Sequence, residues 1–245
     1  HVQDGAILPV SGVGHANTYG RHVYNKGADM VHTLRGMMGD TAFFAACAGF
    51  QQEYKFQDVS TEDMLRFFDE YTPYSLSGFF NQWIKEAGFA HFDILWVLEQ
   101  EGFYNVRIKQ TPRFNEVKYQ NVAVALTAFS ASWERYDDQV MIMNNEQTFK
   151  VACPFEPVYW AFDFDDKISD AVTTDWASLS GIGEVEMPQS LMRKITYDAG
   201  NTDSILLRIE HHWAPADGTF GVPTGAVISR QRYWTVDGIW EMIQN

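Results

Sequence analysis

Positive charge is scarce in this chain. Across 245 residues, 18 Lys and Arg stand against 32 Asp and Glu, for a formal net charge of −14. Nucleic acids and anionic membrane surfaces are held by basic faces, so neither is expected as a partner. Long hydrophobic runs are missing as well. None approaches the ~20 apolar residues of a membrane span, so no membrane span is expected. No secretion signal opens the chain, and it begins at His1 rather than methionine. It therefore reads as an excised or processed piece. Its location stays open, with extracellular or periplasmic favoured. Cysteine is limited to Cys47 and Cys153. Cys47 falls on the apolar side of an expected helix, which favours a buried free thiol over a disulfide.

Several chemical signatures are absent too. No H-E-x-x-H occurs, the run that puts two imidazoles on one helix face around a metal. No Gly-x-Ser-x-Gly nucleophile turn is present. Ser11-Gly12-Val13-Gly14 is glycine-rich but follows no clear strand and lacks a P-loop lysine. The neighbours His211 and His212 would point to opposite faces of a strand and cannot chelate one ion. His212 and Glu210 share a face and read as a satisfied surface pair. There is no internal repeat and no low-complexity tract.

What the chain does have is apolar material for a sizeable core: 46% hydrophobic and 15% aromatic residues. Four helical signals come first. One runs from about Tyr19 to Met38, with Val23, Val31, Leu34 and Met38 near helical spacing and Gly39 as a stop. Asp40 can cap the second, where Phe43, Cys47, Phe50 and Tyr54 recur. Ser60-Thr61-Glu62-Asp63 looks like a capping box opening the third. The fourth spans about Leu76 to Ala87 and ends at Gly88. After Gly88 the period drops to two, in Val106–Gln110, Val122–Leu126 and Val158–Phe164. Further strands are expected at Met192–Tyr197, Ser204–Trp213 and Ala226–Val236, with Asp237-Gly238 as a turn. In the second of these, Leu207, Ile209, His211 and Trp213 would form a dry face and Arg208, Glu210 and His212 a wet one. The expectation is an α+β chain. An antiparallel helical bundle (1–90) precedes an antiparallel β-sandwich (91–165), a Ser/Thr/Asp/Gly linker (166–188) and a further β segment (189–245).

One stretch is specific. Tyr24-Asn25-Lys26-Gly27-Ala28, leading into a helix up to Arg35, resembles a segment of the aminopeptidase N family of zinc metallopeptidases. The resemblance continues through the Gly39-Asp40 break, Phe43-Phe44, the Ser60–Asp63 helix start and Phe79-Phe80-Asn81-Gln82-Trp83-Ile84 leading to Gly88-Phe89. It covers roughly residues 17 to 110, with Ala90 where the family usually has proline. It implies that residues 1–90 are the end of a thermolysin-like catalytic domain, starting after the zinc ligands. It also implies that Tyr24 faces the zinc and donates its hydroxyl to the oxyanion formed during attack on the scissile carbonyl. A phenol is a hydrogen-bond donor at neutral pH. Lys26 and Gly27 would shape how the chain enters the helix. Peptide would be the substrate. Zinc would belong to the full-length parent, with its ligands in a missing N-terminal catalytic portion; no metal or cofactor ligand is expected in this chain, which alone should be inactive. Two other readings stand beside it. The parent could be an inactive relative, or the chain could be a non-catalytic β-sandwich module that binds protein or glycan. The last segment carries Trp213, Tyr233, Trp234 and Trp240, and such rows can stack on sugars or build a small core.

Overall fold

The computed structural model describes residues 7–198, 204–216 and 228–240. Among the described residues, four α-helical segments are followed by antiparallel sheets, the α+β order expected. The chain divides into two compact units. The first holds the residues up to Thr127, with Asp137–Ala152 and Ala161–Ser169. The second holds Ala128–Tyr136, Cys153–Trp160 and the chain from Asp170 on.

In the first unit, helix α1 spans Arg21–Met38 and ends at Gly39. Helix α2 spans Asp40–Glu53. The residue flanking α2 is Gly39, not Asp40; the Asp40 carboxylate is instead held by Arg35, whose Nε and Nη2 donate over 2.7 and 2.9 Å. Helix α3 spans Thr61–Asp69 behind the expected capping box: Asp63 N–H donates to Ser60 Oγ, and Ser60 N–H donates to Asp63 Oδ2. Its Phe68 joins Phe43 and Phe50 of α2 in an aromatic core. The fourth helical segment is shorter than its periodicity predicts. One α turn, α4 (Ser77–Phe79), runs into a π-helical turn over Phe80–Ile84, closed by Lys85 N–H donating to Phe80 C=O at 3.1 Å. The wider turn buries Phe79, Phe80 and Trp83 together. Gly88 ends the segment at φ +84°, with the Arg113 carbonyl only 2.3 Å from where a Cβ would stand. Only glycine fits there.

Strands β1 (Phe92–Gln100), β2 (Phe103–Gln110) and β5 (Glu146–Val151) form an antiparallel sheet in the order β1-β2-β5. Strands β3 (Val122–Phe129), β4 (Arg135–Ile142) and β6 (Tyr159–Phe162) form another, ordered β4-β3-β6. Cys47 and Cys153 are free; Cys47 is half-buried rather than buried.

In the second unit, β10 (Ile205–His212) is central, flanked antiparallel by β7 (Val172–Leu179) and β11 (Tyr233–Ile239). Strands β8 (Ile182–Met187) and β9 (Met192–Asp198) form a hairpin. Leu207 and Ile209 of β10 pack with Leu179 and Met187 and with Val185, Met192, Ile195 and Tyr197 of the hairpin. Four expectations are corrected here. Residues 166–188, read as a linker, contain β7 and most of β8. Their polar residues serve the sheet: Asp175 accepts from both the N–H and the hydroxyl of Ser190, at 2.6 and 2.8 Å. The Asp237-Gly238 pair is not a turn but lies inside β11, opposite Arg208 and Leu207. A Cβ on Gly238 would stand 1.9 Å from the Leu206 carbonyl, so the glycine permits close strand approach. Of the strand expected over Ala226–Val236, residues 226 and 227 lie outside the described residues, and β11 begins at Tyr233. Finally, β10 has no wet side. Leu206 to Ile209, His211 and His212 are all buried.

Candidate functional site around Tyr24

Helix α1 carries Tyr24, the residue for which the sequence resemblance implies a catalytic role. Its first turn follows Gly20, whose extended backbone lets its carbonyl accept from Val23 N–H at 3.0 Å and Tyr24 N–H at 3.4 Å. Tyr24 therefore projects from the first turn and is 62% exposed. Its hydroxyl hydrogen-bonds to none of the described residues. Val31, seven positions on, falls on the same side of the helix and is also exposed.

The opposite side of the turn is anchored. Lys26 is 1% exposed. Its Nζ donates to Gly88 C=O at 2.9 Å and to Leu8 C=O at 3.2 Å, and lies 4.7 Å from the centre of the Phe89 ring. Burial pushes its pKa down to about 8. Both acceptors belong to one laced block: Gly88 N–H donates to Ile7 C=O, and Val10 and Ser11 N–H both donate to Ile84 C=O. Further along α1, Thr33 Oγ accepts from Ser169 N–H at 2.8 Å, and Trp83 Nε1 donates to Ser169 C=O at 3.0 Å. The buried stripe of α1 is thus His22, Lys26, Met30, Thr33, Leu34 and Met37. It is rotated from the expected Val23–Val31–Leu34–Met38 stripe, because a lysine with two carbonyl acceptors can enter a core that an apolar pattern would reserve for aliphatics.

Val23 and Val31 instead border a cavity of about 500 Å³. Gly27, Met30 and Leu34 of α1 and Phe80 of the π turn line it too. Its walls are mostly apolar, with Ser11, Ser60 and Thr61 among them, and it runs beside the turn that carries Tyr24. Sequence periodicity does not reveal such a groove, since its walls come from segments far apart in the chain.

The β-region candidates take structural places. Glu210 is bound by Arg208 at 3.0 Å and by the Thr235 hydroxyl. His212 stacks on Tyr233 with centroids 4.3 Å apart. Of the expected surface pair, His212 is buried and Glu210 is partly buried. His211 lies between Trp213 and Trp234, with Arg232 over both indoles.

Residues 11–83 match the Peptidase family M1 domain. The match takes in the stretch from the Tyr24 turn to Trp83, the same stretch over which the sequence resembles the aminopeptidase N family, and leaves the β-rich remainder of the chain unmatched. Forty chains of solved structures are similar to this one. Among them is the crystal structure of Legionella pneumophila aminopeptidase A in complex with aspartic acid, with a TM-score of 0.52 and 18% identity. The similarity covers 69% of this chain and 20% of that one, so this chain spans about a fifth of that protein. At this identity the likeness establishes a shared fold. No curated protein matches the sequence.

Proposed function

We propose that this chain is part of a zinc-dependent aminopeptidase, removing N-terminal residues from peptides, and that Tyr24 is its oxyanion donor. The observation that carries the reading is an M1 match that includes a tyrosine which the fold presents outward from an anchored helix turn. The zinc ligands of that family do not fit the residues of this sequence, which has no H-E-x-x-H. The chain's own part is therefore the donor and the apolar wall beside it, and alone it is inactive. Its partners are the peptide and the metal-binding remainder of the catalytic domain.

In this role the Tyr24 O–H points at the carbonyl oxygen of the scissile bond. As the tetrahedral species forms, negative charge grows on that oxygen and the hydrogen bond strengthens. An interaction that is tighter in the transition state than in the ground state lowers the barrier; a preorganised donor of this kind contributes roughly 2.7–4 kcal/mol. The groove lined by Val23 and Val31 would flank the substrate. In the intact zinc-loaded protein, Tyr24→Phe should lower turnover by roughly 10²–10³ while circular dichroism and melting stay unchanged. Unaltered turnover would remove Tyr24 from the mechanism.

A second reading, a protein- or glycan-binding β module, has the exposure of Trp176 and Trp240 in its favour. Trp176 sits opposite Arg208 and Trp234 opposite His211, so these two indoles occupy opposite faces of the sheet and form no common platform.

A further inference from the structure

We infer that Lys26 is a positioning residue for Tyr24: its buried amino group ties the first turn of α1 to the Leu8 and Gly88 carbonyls and so fixes where the tyrosine hydroxyl stands. The inference rests on the reading of Tyr24 as the oxyanion donor.

Three observations converge on it. Tyr24 has no polar partner among the described residues, so nothing at its own tip orients it; only the placement of its helix turn does. That turn is not held by a cap, since Gly20 offers no side chain and no acidic residue lies in the first turn. Lys26 supplies what is missing. It lies two residues after Tyr24, projects to the buried side, and makes two directed bonds to carbonyls some eighteen and sixty-two positions away in sequence. Those carbonyls sit in segments bonded to one another through Gly88 N–H to Ile7 C=O and through Val10 and Ser11 N–H to Ile84 C=O. The Phe89 ring covers the remaining side of the amino group. The helix start is thereby fixed in rotation and translation against a braced block. Apolar contact alone is not directional and would leave the turn free to shift. A nucleophilic or modified lysine is not the alternative, because a side chain 1% exposed is out of reach of reagents.

The geometry gives a prediction that a generic packing residue does not. Misplacement of a reacting group by about 1 Å can cost up to roughly 10² in rate. In the intact zinc-loaded protein, Lys26→Met should lower kcat by about tenfold or more, with KM changed by less than about twofold. In a Tyr24→Phe background the same substitution should cost less than about twofold, because there is no hydroxyl left to misplace. Phe89→Leu, which keeps the amino group and both carbonyls, is the second variant should Lys26→Met fail to fold. It should give a smaller kcat loss with the same disappearance in the Tyr24→Phe background. A folded Lys26→Met protein with unchanged kcat overturns the inference. So does an equal loss from Lys26→Met, or from Phe89→Leu, with and without the Tyr24 hydroxyl. If Tyr24→Phe itself leaves turnover intact, the role of Tyr24 fails, and that result separates the two ideas.

Discussion

The helical region and the β7-β10-β11 sheet each bury basic side chains, and they do so differently. Lys26 in α1 meets two carbonyls and an aromatic face. Arg208 in β10 is 3% exposed and meets Glu210 and the Tyr159 hydroxyl, whose own pKa burial pushes up to about 12. His211, three residues on, is wholly buried between two indoles with neither ring nitrogen hydrogen-bonded. Directed bonds make a buried charge tolerable, and an aromatic sandwich tolerates the neutral ring only. Each side chain therefore responds differently to substitution and to pH.

The largest contrast should come from Arg208. Replacing it with Ala leaves the Glu210 carboxylate without its buried partner, and urea unfolding should show a loss of about 3–5 kcal/mol. Arg208→Met with Glu210→Gln should recover much of it; no recovery would mean that Arg208 acts through other neighbours.

Lys26 sharpens the comparison through pH. Its folded pKa of about 8 lies below the ordinary 10.5, so between these values the unfolded chain holds the proton and the folded chain does not. Stability should rise with pH across that window, by up to about 3 kcal/mol, and the rise should be absent in Lys26→Met. Equal slopes for both proteins from pH 8 to 10.5 would show that the amino group is not held in this way.

His211 should give the opposite limb. Burial, reinforced by the Arg232 charge, pushes its pKa down to about 4, so the folded ring stays neutral while the unfolded ring gains a proton below about 6.5. This contribution to stability is full above 6.5 and fades as pH falls toward 4. His211→Phe should flatten that acid limb and add roughly 1 kcal/mol at pH 5, since it removes two unbonded nitrogens. A stability–pH curve identical to the parent's would contradict the account.

The smallest effect belongs to a local device. Ser60→Ala removes one arm of the α3 capping box and should cost about 1 kcal/mol. A loss well above this would imply that Ser60 also supports the cavity it borders.

Legibility followed how local the controlling physics was. The α3 start was readable because a capping box lies within four residues. The end of α1 was readable because Gly39 marks it. The π turn was not, because one extra residue per turn is set by burying Phe79, Phe80 and Trp83 together. Strands β7 and β8 hid behind a polar composition whose Asp175 finds its partner at Ser190. The candidacy of Tyr24 rests on motif resemblance alone, and the two carbonyl acceptors of Lys26 lie too far away in sequence to be foreseeable.

By itself the sequence determined the helix-to-strand order, the capping signals and the family segment, because propensity, periodicity and motif spacing act over a few neighbouring residues. Only the tertiary structure decided which side of α1 is buried, that β10 is buried on both faces, and which carbonyls receive Lys26. Those outcomes depend on groups brought together from distant parts of the chain, where the partners of a polar side chain, and not its type, settle whether it can leave water.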